Sequence, residues 1–268
     1  MRSHRLVLIL FLVLAPALLA LPALTGDRGD RGFRDPGTSR QQEAEPFDEA
    51  LLYVELNDTD GDLGLHGLID GDAWDTLRIV SPDGRQNLTV TARGSLREQG
   101  LTELFFESEE PTFDELSPEE FFERFPEGPW TISGRTAENN GLQSVVTLRH
   151  VMPAPPANVR VNGEPAAENC DADPLPSVSG PVTLSWDPVT GSHPEIGESG
   201  PVDIVRYQLV VEREEPSLLV FSVDLPPDVT TFTVPEGFVA LGDGFKFEIL
   251  AIEASGNRTA VETCFEIE

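Results

Sequence analysis

Carboxylates at every second position dominate the segment Asn57-Asp58-Thr59-Asp60-Gly61-Asp62-Leu63-Gly64. Alternate acids around a glycine let a short loop curl and aim several oxygens at one centre. Ca2+ accepts about six to eight oxygens at loose geometry, whereas Mg2+ demands a stricter octahedron. The chemistry expected is therefore calcium ligation by Asp58, Asp60 and Asp62. Asp70, Asp72 and Asp75, or Glu55 on the preceding segment, would complete the shell. The spacing is not that of a helix-loop-helix calcium loop. With Asp58 first, Leu63 stands where glycine is needed and Ile69 where the bidentate acid is needed. The alternative is a solvated acidic turn.

Catalytic arrangements are scarce. Outside His4, the histidines are His66, His150 and His193, scattered along the chain. There is no His-Glu-x-x-His signature, no Gly-x-Ser-x-Gly elbow and no phosphate-cradling glycine loop. His66 falls close to the acid loop in sequence, as either a ligand or a surface residue. Glu109-Glu110 and Glu119-Glu120 imitate a glycosidase dyad, but among 47 acids such pairs carry little information. Phe105, Phe106, Phe121, Phe122 and Phe125 would line a groove or, more simply, pack a core. The sequons at Asn57, Asn87 and Asn257 matter where the host glycosylates exported chains. No catalytic residue is assigned, and the expectation is a protein that is not an enzyme.

These residues need strands to hold them. In residues 50–57, Leu52, Val54 and Leu56 share one face, with Tyr53, Glu55 and Asn57 on the other, the pattern of a half-buried strand. Residues 76–80 and 87–92 flank Ser81-Pro82-Asp83-Gly84, whose Pro and Asp-Gly predict a hairpin turn. Residues 101–107, 130–137 and 142–151 read as further strands. One short helix is expected after Ser117. Ser117 caps it, Pro118 takes the first helical position, Glu120 completes a capping box, and Pro126 with Gly128 stops it. Short strands with turns about every ten residues predict an N-terminal β-sandwich over residues 47–152.

The chain has 268 residues, 18 Lys+Arg against 47 Asp+Glu, a formal net charge of −29, 39% apolar residues, 23 Gly and 23 Pro. That composition favours short strands and turns over helical bundles. Its acidity rules against nucleic acid and against anionic membrane surfaces, which would repel it. Lys246 is the only lysine; every other fixed positive charge is an arginine. Arg2 and Arg5 precede an uncharged, Leu- and Ala-rich run over residues 6–24, which describes a secretory signal peptide, taken as residues 1–23. An uncleaved anchor helix is the competing reading, which Pro16 and Pro22 would interrupt. Residues 24–46 carry almost nothing to bury and read as a disordered tether.

Met152-Pro153-Ala154-Pro155-Pro156 marks a boundary, with a Pro-rich linker at residues 153–156. Beyond it an alternating segment over residues 182–188 ends in Trp186-Asp187-Pro188. Strand patterns follow at residues 206–213, 218–224, 230–234, 244–253 and 259–267. Trp186, then Tyr207 and Leu209, then Phe245, Phe247, Ile249 and Ala251 before a Gly256-Asn257 turn, make residues 157–268 resemble a fibronectin type III domain. The resemblance implies a seven-stranded Greek-key sandwich that usually serves as a spacer or binding module. Phe245 departs from it, standing where the family usually has a Tyr with a corner hydrogen bond, and the stretch between Val161 and Val182 looks like an insertion. In such sandwiches the first and last strands commonly end at one pole, which implies a Cys170–Cys264 disulfide, in keeping with paired cysteines in exported chains. The alternative is two buried thiols. Residues 55–62 and 102–107 resemble uncharacterised secreted bacterial proteins that couple such a domain to a fibronectin-like one, a similarity that carries no known activity.

The expectation is thus all-β: two tandem β-sandwich domains, the second fibronectin type III/immunoglobulin-like, with one short helix in the first. The function expected is a non-enzymatic binding or structural protein of the cell envelope or extracellular space, secreted or periplasmic. Its partner would be a protein or a glycan, with no nucleic acid and no membrane once the signal is removed, and with Ca2+ as stabilising ion. The rivals are a secreted, glycosidase-like hydrolase with an accessory module and a self-assembling surface component.

Overall fold

A strand that alternates apolar and polar residues buries its apolar face only by packing against another layer, and the fold follows from that need. The architecture is that of a computed structural model and is described for residues 44–268. The expected signal peptide and the tether up to residue 43 lie outside the described residues. The first half contains β1 (Glu49–Asn57), β2 (Asp62–Val80), β3 (Gln86–Thr91), α1 (Ser95–Gln99), β4 (Leu101–Glu107), α2 (Pro118–Arg124), β5 (Gly128–Thr136), β6 (Gly141–Leu148) and β7 (Val151–Pro153). The second contains β8 (Arg160–Val161), β9 (Glu164–Pro165), β10 (Ser177–Val178), β11 (Thr183–Ser185), β12 (Ser192–Gly197), β13 (Ile204–Arg213), β14 (Leu219–Leu225), β15 (Thr231–Thr233), α3 (Glu236–Val239), β16 (Gly244–Glu253) and β17 (Arg258–Ile267).

Hydrogen bonding orders an 11-stranded sheet as β14-β13-β16-β17-β1-β2-β5-β6, with β3 and β4 added along β2 and β10 along β17. A four-stranded sheet runs β15-β11-β8-β9. In the second half the small sheet closes over the large one. Val161 and Leu184 meet Tyr207, Leu209, Phe247, Ile249 and Phe265, all buried. Trp186 packs edge-on against Tyr207 at 5.4 Å between ring centroids, and the Tyr207 hydroxyl accepts the Val189 N–H at 2.8 Å. This half is an all-β sandwich of two sheets around one apolar core. Phe245, the residue that departs from the resembled pattern, stacks on Phe265 at 5.4 Å between ring centroids. Cys170 is bonded to Cys264 across a separation of 94 residues. On the chain-entropy model a loop of that order contributes about 4–5 kcal/mol.

In the first half Ser117 Oγ accepts the Glu120 N–H at 3.3 Å and Pro118 opens α2. Phe121 is buried in a core with Trp74, Leu77, Trp130 and Ile132, while Phe122 and Phe125 pack on its margin. α1 is a second short helical turn, which the apolar pattern did not indicate. β2 runs for 19 residues, far beyond the expected 76–80. Its first part pairs with β1 and β4 and its second with β3 and β5.

The halves meet where β1 lies parallel to β17, with Glu55 opposite Arg258, Leu56 opposite Thr259 and Asn57 opposite Ala260. Backbone hydrogen bonding therefore passes from one half into the other without a break. β1 is covered on both faces. Leu52, Val54 and Leu56 line the first core, yet Tyr53 at 2% and Glu55 at 6% exposure are buried as well, so over residues 52–56 the half-buried strand expected from its pattern is buried on both faces. Asn257 clamps this junction: its Oδ1 accepts the Val54 N–H at 2.8 Å, and its Nδ2 donates to the carbonyls of Arg149 at 2.9 Å and Val151 at 3.1 Å. Gly256 beside it has φ +99°, and a side chain there would press on Tyr53. The Pro-rich connector is packed, with the Pro153 carbonyl accepting the Thr259 hydroxyl at 2.7 Å. β12 pairs with β7 and places Ile196 against the first core, so a segment of the second half braces the first.

Asn257→Ala removes three hydrogen bonds worth about 0.5–1.5 kcal/mol each and leaves the Val54 N–H buried without a partner. The expected loss is about 3 kcal/mol in urea denaturation. A loss below about 0.5 kcal/mol, the range of an ordinary surface change, would show that the clamp is incidental.

Candidate functional site

The acid loop is the turn joining β1 to β2. Asn57 Oδ1 accepts the N–H groups of Thr59 at 3.1 Å and Asp60 at 3.2 Å, and the Asn57 carbonyl accepts that of Gly61 at 2.9 Å. Gly61 adopts φ +70°, open to glycine without strain. Thr59 Oγ1 accepts the Glu262 N–H at 2.9 Å, and the Asp58 N–H donates to Ala260 at 3.0 Å. The loop thus carries the β1–β17 contact past the end of the strand.

The structure gives the three expected ligands different partners. Asp58 Oδ1 accepts from His193 Nε2 at 2.9 Å. His193 Nδ1 accepts the N–H groups of Glu195 at 3.1 Å and Ile196 at 2.8 Å, so the ring hydrogen sits on Nε2. Asp60 Oδ2 lies 3.3 Å from Asn57 Nδ2. Burial pushes Asp62 up to about 8, with Glu110, Asp60, Glu55 and Glu262 adding repulsion. Of the further acids, Asp75 pairs with Arg97 at 3.3 Å and Asp70 stands opposite Glu49.

Glu55 and its neighbours form a buried polar band on one face of the junction. His66, read from sequence as a ligand or a surface residue, is 1% exposed and stacks on Tyr53 at 5.1 Å with the rings 16° apart. Its Nε2 lies 3.1 Å from Glu110 Oε1, and the Glu110 carboxylate fills the space that a side chain at Gly64 would occupy. Burial lowers the His66 imidazole and raises Glu110 to about 7, so both changes favour an uncharged pair. Arg258 lies over the Tyr53 ring at 3.8 Å and 3.9 Å from Glu55 Oε2. Burial pushes Tyr53 up to about 12 and raises Glu55 despite His66 and Arg258 nearby. The Tyr53 hydroxyl, Glu55 Oε2 and His66 Nδ1 make no hydrogen bond to protein.

The band continues onto β16 and β17. Lys246 Nζ lies 3.4 Å from Glu212, 3.7 Å from Glu248 and 3.3 Å from Glu262. Burial alone would lower the ammonium, but the three carboxylates outweigh it and hold it above its ordinary range. Burial also raises Glu248 and Glu262. A shallow cleft of about 330 Å3 opens beside the acid loop, lined by Asp58, Thr59, Glu168, Asn169 and Glu262. Sequence reasoning named His193 and Glu110 without bringing them to this loop, and it missed Arg258 and Glu262; all are partners over long range. Lys246 stood out in the sequence only as the single lysine, with no partner assigned to it.

No family model matches the chain, and no curated protein matches it. Solved structures similar to it include a two-domain fibronectin type III segment of chicken tenascin, at 14% identity over 82% of this chain and 99% of that one, TM-score 0.27. A 1.5-MDa bacterial ice-binding adhesin aligns at 14% identity over 84% of this chain and 66% of that one, TM-score 0.23. The ligand-binding domain of human OSCAR aligns at 11% identity over 83% and 98%, TM-score 0.27.

A carboxyl with a raised value binds its proton more tightly folded than unfolded. The stability Asp62 contributes is therefore complete below the ordinary carboxylate value of about 4 and is lost as pH rises through about 8. Asp62→Asn is expected to raise the melting temperature over the parent above that window and to leave it nearly unchanged at the acid end. Equal gains at both ends would rule out titration of Asp62 as the cause.

Proposed function

We propose that the chain is a non-enzymatic binding or structural module acting outside the reducing cytosol, in the cell envelope or extracellular space. The observation that carries the reading is the unbroken sheet through both halves. A β-sheet that crosses the junction leaves no hinge, so loops on either half keep a fixed spacing, as a spacer or a presenting platform requires. The Cys170–Cys264 disulfide supports an oxidising compartment. β14 ends the sheet with an open backbone edge, where an extended segment of a protein partner would add as a further strand.

Calcium belongs to this proposal at Asp58, Asp60 and Asp62, where Asp58 also accepts from His193 Nε2 and Glu110 and Glu262 repel the Asp62 carboxylate. Its support is the mutual repulsion of those carboxylates, which a divalent ion would relieve, beside the buried Glu55 Oε2, which makes no hydrogen bond to protein.

A pull-down from the producing organism's surface fraction, with and without chelator, tests the reading. A saturable protein or glycan partner is expected. Glycan hydrolysis by the purified chain would replace it with the hydrolase reading, and concentration-dependent particles of many subunits in light scattering with the self-assembling one. Millimolar Ca2+ is expected to raise the melting temperature, and Asp60→Ala to abolish that rise. An unmoved parent would remove calcium and leave the module standing.

A further inference from the structure

Away from the acid loop, three donors from distant parts of the chain converge beside α2. One carboxylate oxygen of Glu127, one of Glu198 and one imidazole nitrogen of His150 all lie within 4.8 Å of one another, a grouping found nowhere else among the described residues. The backbone builds this convergence. Glu127 sits in the turn that ends α2, and its Oε1 accepts the His150 N–H at 2.5 Å. Glu198 follows β12, and its N–H donates to the His150 carbonyl at 2.9 Å. Gly197 makes that approach possible: at φ +75° its α-carbon lies so close to the His150 carbonyl that any side chain would collide with it.

The imidazole is oriented as a ligand would be. His150 Nε2 lies 2.8 Å from the Phe125 carbonyl. A carbonyl can only accept, so Nε2 carries the hydrogen and Nδ1 keeps a lone pair. Phe122 lies against the ring at 4.4 Å and 38°, which fixes its plane. A ring N–H given to a backbone carbonyl, with the other nitrogen free, is the support found behind metal-bound histidines. Two carboxylates and a neutral imidazole carry two negative charges, matching one divalent ion. The nitrogen donor selects zinc and its neighbours over Ca2+ and Mg2+, which take oxygen.

We propose that Glu127, His150 and Glu198 form a zinc-class metal site with a fourth position open to water. The ion would fasten the end of α2 and the start of β7, in the first half, to β12, in the second. It thus reinforces the junction held at the other end of β12 by the His193–Asp58 hydrogen bond.

The test uses the full chain without a polyhistidine tag. Zn2+ is titrated by calorimetry, and Co2+ by the visible absorption of a bound tetrahedral ion, with Ca2+ and Mg2+ as comparators. Saturable binding of a single Zn2+ per chain is expected. Glu127 and Glu198 are exposed, so Glu127→Gln and Glu198→Gln change the ligands without disturbing a core. Each is expected to weaken Zn2+ binding by about 10- to 100-fold. Asp62→Asn is expected to leave it unchanged, which separates this site from the acid loop. Absence of saturable Zn2+ binding by the parent, parent-like affinity in the double Gln variant, or loss of binding in Asp62→Asn would each overturn the proposal.

Discussion

Three residue pairs between β1 and β17 make one body of what would otherwise be two. Without them each half would end in an open strand edge at the junction, carrying unpaired N–H and C=O groups. Joining the edges satisfies those groups and gives β1 a neighbour on each side and cover on both faces. The clamp at Asn257, the docking of Thr59 onto β17 and the packed Pro-rich connector all serve this contact. Gly256 and Gly61 permit the two tight turns beside it.

Burying that junction strips polar groups of most of their water, and the chain meets the cost in two ways. Lys246, the only lysine, sits among Glu212, Glu248 and Glu262 as a shared counter-charge. Arg258 sits over Tyr53 with Glu55 at its edge. Elsewhere the solution is neutrality: Asp62 and Glu110 are pushed toward their protonated forms and His66 toward its uncharged one. A buried polar face of this kind contributes less to stability than an apolar one of equal area. It does restrict register, because slipping β1 by one residue would drive Leu52, Val54 and Leu56 into the charged face.

The second half contributes more to the first than its sandwich requires. Segment 190–200 leaves its own core, pairs β12 with β7, inserts Ile196 against the first core and hands His193 to Asp58. That hydrogen bond gives the first acid of the loop a structural task. It also explains how a run of alternating aspartates is divided between tying the halves together and facing Glu110 and Glu262.

Local pattern was enough for most elements. Alternation placed the strands, Ser117 and Pro118 placed α2, and the Trp186, Tyr207 and Phe247 series placed the second sandwich, because burial of one face imposes a period that any short stretch displays. The disulfide followed from the resemblance, and the site did not follow from either. Seen locally, Glu55 and Tyr53 read as the wet side of a strand and Asp58, Asp60 and Asp62 as a common set. Their surroundings come from β17, from residues around Glu110 and from His193, all far away in the chain. Which strand lies beside β1 is a matter of backbone pairing that side-chain order does not encode. Only the folded chain decided that a solvent-facing pattern would be buried, and with it which acids keep their protons.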